Sequence, residues 1–289
     1  MTGPAGHPLR EPIGLIACAG RFPIAIARKA REVGIPVVCV GIAGMADPEL
    51  TTVCHRFHWL RRLSLGFIIR AFRRGGVRRW SMAGKFHKHI LFRPWRWIQL
   101  LPDWRMIRFW LTRRRTDTRD NAILLGIINE FRVEGMECVS PLDLCPELLV
   151  REGVLTRRRP TVVEERDMNF GWDIAKEMGR LDVGQSVMVK EGAVLAVEAI
   201  EGTDLAILRA GELCGRNGFV VIKVAKPKQD MRFDVPTVGT TTIEKMKAAG
   251  ATALVIEAAR TIILDEAETV ALADRYGIAI VSRPDASAT

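Results

Sequence analysis

The stretch Val194 to Leu213, VLAVEAIEGTDLAILRAGEL, runs from alternating apolar residues into Glu198, Glu201, Gly202, Thr203 and Asp204. Three carboxylates and a hydroxyl thus gather where a strand gives way to a helix. A surface turn explains one or two of them; a site for a cation or a phosphate explains all four. A second polar corner follows a second apolar run: KVAKPKQDMRFDVPTVG carries Lys223, Lys226, Gln229, Asp230, Arg232 and Asp234. Loops at strand ends are where α/β proteins place their sites. Carboxylates at one corner and cations at the other are complementary to a metal-bound phosphate. Mg2+ takes one or two carboxylates together with phosphate oxygens, and Lys and Arg neutralise charge developing on phosphoryl oxygens. A remaining carboxylate can orient and deprotonate water. Spacing alone does not separate this chemistry from salt bridges around two surface loops.

Other chemistry-bearing patterns are weaker. His55-x-x-His58 and His87-x-His89 lack nearby cysteines or acids, which argues against a zinc site. Gly14 and Gly20 are six apart, so the dinucleotide fingerprint is missing and a nicotinamide dehydrogenase is excluded, although the loop before the following helix can still meet a phosphate through backbone N–H groups. GxSxG and Walker motifs are absent. Six cysteines show no CxxC pair and no framework spacing, which points to a reducing compartment.

The elements that must position the two corners follow from periodicity. PIGLIACAG reads as a strand, RFPIAIARKAREVG as a helix stopped by Gly34, and IPVVCVGI as the next strand: the opening of a Rossmann-like parallel sheet. LSLGFIIRAFRRGGVRRWSMAGK reads as helix, glycine turn and strand, and NAILLGIINEFRVEGMECV as helix and strand. Gly153, Pro160 and a basic triplet break the periodicity, which puts a domain boundary at 152/153. Beyond it, ERDMNFGWDIAKEMGRL reads as a helix, and VGQSVMVKEGAVLAVEAI as two strands joined by a Glu191-Gly192 turn. LAILRAGEL continues as a helix with Thr203 or Asp204 as N-cap, and Thr241 and Glu244 have capping-box spacing for the helix that Gly250 closes. Strand and helix then alternate to the end. The fold class expected is α/β in two domains, an N-terminal Rossmann-like parallel-sheet domain and a C-terminal α/β domain with a mixed sheet.

Charge is uneven. Between Arg56 and Arg119 there are 18 Lys or Arg against Asp103 and Asp117, a net of +16 in 64 residues, whereas the whole chain carries +10. Trp80, Trp95, Trp97, Trp104 and Trp110 lie in the same tract. Basic residues interleaved with Trp suit a membrane headgroup layer or nucleic acid, and a solvated helical face is the plainer alternative. The first residues lack the apolar core of a signal peptide and no apolar run is long enough to span a bilayer, so a cytosolic protein is expected.

Taken together, the long motifs resemble the UDP-2,3-diacylglucosamine diphosphatase family of the LpxI type along nearly the whole chain. In the second domain they are GRLDVGQSVMVKEGAVLAVEAIEGTD, KVAKPKQDMRFDVPTVG and ALVIEAARTIILD; in the first, GLIACAGRFP, SMAGKFHK and NAILLGIINEFRVEG. Cys18 and Ala19 stand where the family tends to have glycines. The resemblance implies a lipid A pathway enzyme that hydrolyses UDP-2,3-diacylglucosamine to UMP and 2,3-diacylglucosamine 1-phosphate (lipid X) with Mg2+, water attacking the phosphorus on the sugar side. It implies a substrate-enclosing domain over 1–152 and a catalytic domain over 153–289, with the substrate held between them. The implied catalytic residues are Asp234, Lys223, Lys226 and Arg232, with Asp234 the key aspartate. The implied substrate-binding positions are Gly20, Thr203, Gln185, Gln229 and Thr237, and the implied metal ligands Asp204, Glu198 and Asp230. A lipid substrate and the basic tract together suggest peripheral attachment to the anionic cytoplasmic face of the inner membrane, and a homodimer is compatible with the resemblance. The rival reading, a basic Trp-rich nucleic-acid-binding protein, finds no recognised nucleic-acid motif.

Overall fold

A computed structural model describes residues 11–62, 64–84, 120–143, 145–227, 229–232 and 235–285, with the backbone alone for 120–123. The chain divides into two compact units, Met1–Cys145 and Pro146–Thr289.

In the first unit, β1 (Ile13–Ala17), β2 (Val37–Ile42), β3 (Arg56–Leu60), β4 (Arg79–Ala83) and β5 (Glu137–Cys138) form one sheet in the order β3-β2-β1-β4-β5. Every pairing is parallel. This is the Rossmann strand order, and the near-continuous apolar IGLIA and VVCVG runs are what a parallel strand covered on both faces needs. The connecting helices are α1 (Phe22–Glu32), α2 (Leu50–Val53), α3 (Leu65–Arg74) and α4 (Asp120–Val133). Ser64 caps α3, its hydroxyl accepting from the Phe67 N–H at 3.0 Å. Trp80 is wholly buried with its ring 4.3 Å from that of Phe131, so it belongs to the core and not to a headgroup-facing set. The sequence tract could not reveal this, because Trp80 sits on a central strand while its basic neighbours Arg78 and Arg79 face out. Trp95, Trp97, Trp104 and Trp110 lie outside the described residues.

Gly14 is a packing residue: a Cβ there would lie 2.7 Å from the Phe72 ring and 2.9 Å from Trp80 Cβ. The loop that follows β1 is closed from beneath by Gly84, whose φ is +96° and whose added Cβ would stand 2.6 Å from the Ala19 carbonyl oxygen. Burial pushes the Cys18 thiol in that loop up to about 12, which removes it as a thiolate nucleophile at neutral pH.

The second unit is built on a six-stranded mixed sheet of order β6-β13-β11-β9-β7-β8. Its strands are β6 (Gly153–Val154), β7 (Ser186–Lys190), β8 (Ala193–Val197), β9 (Val220–Lys223), β11 (Ala253–Glu257) and β13 (Ala279–Arg283). A separate parallel pair joins β10 (Thr237–Val238) to β12 (Ile262–Ile263). Strands β9, β11 and β13 are parallel and alternate their side chains between two cores. Val220, Ile222, Ala253 and Val255 pack with Met168, Trp172 and Ala175 of α5 (Val162–Arg180). Val221, Leu254, Ile256 and Ile280 pack on the other face with α6 (Thr203–Leu213), α7 (Thr240–Ala249) and α8 (Glu266–Tyr276). The unit is already committed before Gly153, the residue expected to open the second domain: Val150 N–H donates to Thr261 and Val150 C=O accepts from Ala259. The loop break at Gly153 is instead the start of edge strand β6.

The β7–β8 hairpin turns at Glu191 (φ 50°) and Gly192 (φ 75°), as the two-residue reading requires. Asp167 of α5 clamps it, its two carboxylate oxygens accepting the Glu191 and Gly192 N–H groups at 2.7 Å each. The helix caps differ from expectation. Residues Gly202 and Gly239 occupy the N-cap positions of α6 and α7 without side-chain bonds, so neither Thr203, Asp204 nor the Thr241/Glu244 pair acts as a cap. Thr203 is already the first helical residue, and its hydroxyl is drawn to another partner.

Candidate active site

Both β8 and β9 run antiparallel to β7, so their carboxyl ends fall at the same end of the sheet, one on each side of the start of β7. With neighbouring strands about 4.8 Å apart, the two polar corners begin roughly 10 Å from each other. Ser186, at the start of β7, stands between them: it pairs with Lys223 of β9, and its carbonyl accepts the Glu198 N–H at 2.8 Å. The preceding Gln185 carbonyl accepts the Val224 N–H at 3.0 Å. Hydrogen bonding thus stitches both corners to one dipeptide that strand periodicity does not single out.

At the first corner Glu198 is buried and a hydroxyl chain leads to it. The Thr203 hydroxyl donates to Glu198 Oε1 at 3.1 Å and lies 3.3 Å from the Ser186 hydroxyl. Glu198 Oε2 is buried with no hydrogen-bond partner. Gly184 presses on the same residue, since a Cβ there would stand 2.0 Å from the Glu198 carbonyl oxygen. Asp204, in the first turn of α6, faces the Thr242 hydroxyl at 3.5 Å. Glu201 turns away to an ion pair with Arg209 at 2.5 Å and to the Ala199 N–H at 3.2 Å, which makes it the surface-turn member of the cluster.

At the second corner Lys223 is buried and donates to the Thr237 carbonyl at 2.8 Å, while the Thr237 hydroxyl donates to the Val235 carbonyl at 3.0 Å. Lys226 Nζ meets Asp182 at 2.6 Å. Gln229 Oε1 accepts the Lys226 N–H at 2.7 Å, leaving its buried Nε2 without a partner. Asp230, expected as a metal ligand, engages Arg232 through both oxygens, at 2.9 and 2.6 Å. The Arg232 guanidinium holds the Asp230 carboxyl below the usual carboxylate range. Asp234 lies outside the described residues.

Among the described residues no three His, Cys, Asp or Glu side chains form a ready metal-binding group. Mg2+ needs fewer, because it keeps several waters and takes one or two carboxylates plus phosphate oxygens. The unpartnered Oε2 of Glu198 fits that requirement, with Asp204 on the same corner. Among the described residues, three of the nine buried side-chain polar atoms without a hydrogen-bond partner, Gln185 Oε1, Glu198 Oε2 and Gln229 Nε2, lie at or beside the two corners, where an ion, water or ligand would satisfy them. Gly20, by contrast, belongs to the first unit, in the open loop after β1 with φ +99°.

Comparison with known proteins follows the same division. The model described as LpxI N-terminal domain matches residues 12–148, and the one described as LpxI C-terminal domain matches residues 151–281. The UDP-2,3-diacylglucosamine pyrophosphatase LpxI of Caulobacter vibrioides is 32% identical over 278 residues, covering 93% of this chain and 96% of the relative. With both domain models matched in order and a relative aligned almost end to end, the chain belongs to the LpxI family.

Proposed function

We propose that this protein hydrolyses the diphosphate of UDP-2,3-diacylglucosamine to UMP and 2,3-diacylglucosamine 1-phosphate, lipid X, in lipid A biosynthesis. The carrying observation is the alignment, almost end to end, with a relative named for this pyrophosphatase activity. The two adjoining corners, one carboxylate-bearing and one cationic, support it chemically.

Buried Lys223 and the loop cations Lys226 and Arg232 neutralise charge on the diphosphate as the bond to the leaving phosphate breaks. Asp234 orients and deprotonates the attacking water. Gln185 and Gln229, each with an unpartnered buried amide atom, hydrogen-bond the substrate, together with Thr203 and Thr237. Gly20 offers backbone approach in the first unit. Glu198 and Asp204, with Asp230 at the facing corner, would hold Mg2+, which would supply charge stabilisation on phosphoryl oxygen. The basic tract 56–119 attaches the protein peripherally to an anionic membrane face, where a two-chain lipid substrate resides.

Purified protein incubated with UDP-2,3-diacylglucosamine and Mg2+ releases UMP; if no UMP appears, the assigned substrate is wrong. In 18O-labelled water the label enters the phosphate of lipid X. Label in UMP would move the attack to the uridine-side phosphorus. A folded Asp234→Asn protein loses about two to four powers of ten in turnover, the range for a removed general base. Near wild-type turnover by that protein would exclude Asp234 as the base.

A further inference from the structure

Strand β11 ends on a charge. Its last residue, Glu257, is fully buried at the carboxyl edge of the parallel strands β9, β11 and β13. A buried carboxylate is tolerated only where partners satisfy it, so those partners define its task. Glu257 Oε2 accepts from the Lys176 ammonium at 2.7 Å and from the Ala225 N–H at 2.8 Å. Oε1 makes no hydrogen bond and lies 3.6 Å from Arg260 Nη1, while Arg260 Nη2 donates to the Lys226 carbonyl at 3.3 Å. One carboxylate therefore holds both ends of the Ala225–Lys226 dipeptide, its N–H directly and its C=O through Arg260. The same dipeptide is completed from within the loop, where Gln229 Oε1 accepts the Lys226 N–H at 2.7 Å and Gln229 N–H donates to the Lys226 carbonyl at 3.0 Å. A carboxylate that served only to neutralise Lys176 would not need the Ala225 amide, and Lys176 already has Asp285 at 2.7 Å.

We propose that Glu257 is a positioning residue for hydrolysis: it fixes the backbone of Ala225 and Lys226 and through it the placement of Lys226 and Gln229. The catalytic consequence rests on the function proposed above; the ordering of the loop does not. Glu257→Gln keeps the volume but removes the charge and replaces one acceptor oxygen by a donor that faces Lys176 or Arg260. In the full-length protein, kcat falls about 10- to 100-fold while KM stays within about threefold, since displacement of catalytic groups by an ångström has that scale of effect. Amide hydrogen exchange in peptides covering 225–230 quickens about tenfold, while peptides within α5 and β11 keep their wild-type rates, as local opening predicts.

Should Glu257→Gln not fold, Arg260→Met removes the link to the Lys226 carbonyl from a partly exposed position and leaves the Lys176–Glu257 pair intact. It gives the same changes at smaller size, about 3- to 10-fold in kcat. A folded Glu257→Gln protein with wild-type kcat, or with unchanged exchange at 225–230, overturns the proposal. So does an Arg260→Met protein unchanged in both. Faster loop exchange in the variant beside a wild type that releases no UMP would sink the assigned substrate, and the catalytic role with it, and leave only the ordering of the loop by Glu257 standing.

Discussion

Glu198 carries the first corner in a single side chain, with one oxygen bound to Thr203 and the other buried and unpartnered. Glu198→Gln keeps the shape and the acceptor for Thr203 but removes the charge that a cation needs. Turnover of UDP-2,3-diacylglucosamine is expected to fall roughly 100-fold or more, several kcal/mol being the worth of a bound metal at a phosphoryl oxygen. Stability changes by about 1 kcal/mol or less, because no cavity forms and no hydrogen bond must be lost. Urea unfolding and a Mg2+ titration of activity separate the two effects. A folded variant with the wild-type Mg2+ response would exclude Glu198 as the proposed metal ligand. Gly184 belongs to the same account, since only a residue without Cβ lets the turn before β7 approach the Glu198 carbonyl so closely.

Among the elements, α5 has the best-defined start. Thr161 and Glu164 form a reciprocal capping box at 3.2 and 2.7 Å, and Arg158 grips both Glu164 oxygens at 2.7 and 2.8 Å. Burial works to raise the Glu164 carboxyl, but the Arg158 guanidinium and the Thr161 N–H outweigh it and hold the group below its ordinary value. A depressed folded value means that the stabilisation is complete above the unfolded glutamate value, about 4.3, and is lost as pH falls through the folded one. Glu164→Gln should therefore melt below wild type at pH 7, with the gap closing as the pH is taken down from about 4. Calorimetry across that range checks it; a gap that stayed constant into acid would show that the charge contributes nothing. The Thr161/Glu164 pair lies in a region of broken periodicity that does not mark a helix start, whereas the Thr241/Glu244 spacing begins two positions past the N-cap Gly239 of its helix.

For the molecule as a whole, the unusual feature is a net +16 over residues 56–119 in a chain of net +10. Among the described residues no helix is long and apolar enough to cross a membrane. Charge-driven surface attachment is worth about 1 kcal/mol per basic residue near anionic lipid, and it weakens with salt. The full-length protein is expected to sediment with anionic vesicles at low ionic strength and to leave them at roughly half-molar salt, where the Debye length is only a few ångströms. Neutral vesicles should not retain it. Indifference to anionic vesicles at low salt would make the tract a solvated face and require another route for lipid to reach the site.

The sequence by itself determined the alternation of strands and helices, the Glu191-Gly192 hairpin, the division into a parallel-sheet and a mixed-sheet unit, and the two polar corners. Strands, helices and the hairpin are written in short windows of consecutive residues, where side-chain period and turn chemistry act locally, and the division and the corners follow from the order of those windows. Tertiary structure alone decided that both corners open at one end of the sheet, because this depends on β8 and β9 sharing β7 as an antiparallel neighbour. It also decided that the Thr203 hydroxyl serves Glu198 and not the helix start, and that Asp230 serves Arg232. Likewise it placed Trp80 in a core and brought Glu257 to the Ala225 amide across 32 residues of chain. A charge ending the apolar run ALVIE was visible in advance, but its partner was not. A buried polar group is satisfied by whatever the packing brings within about 3 Å, and residues distant in sequence reach that range only when the sheet has assembled.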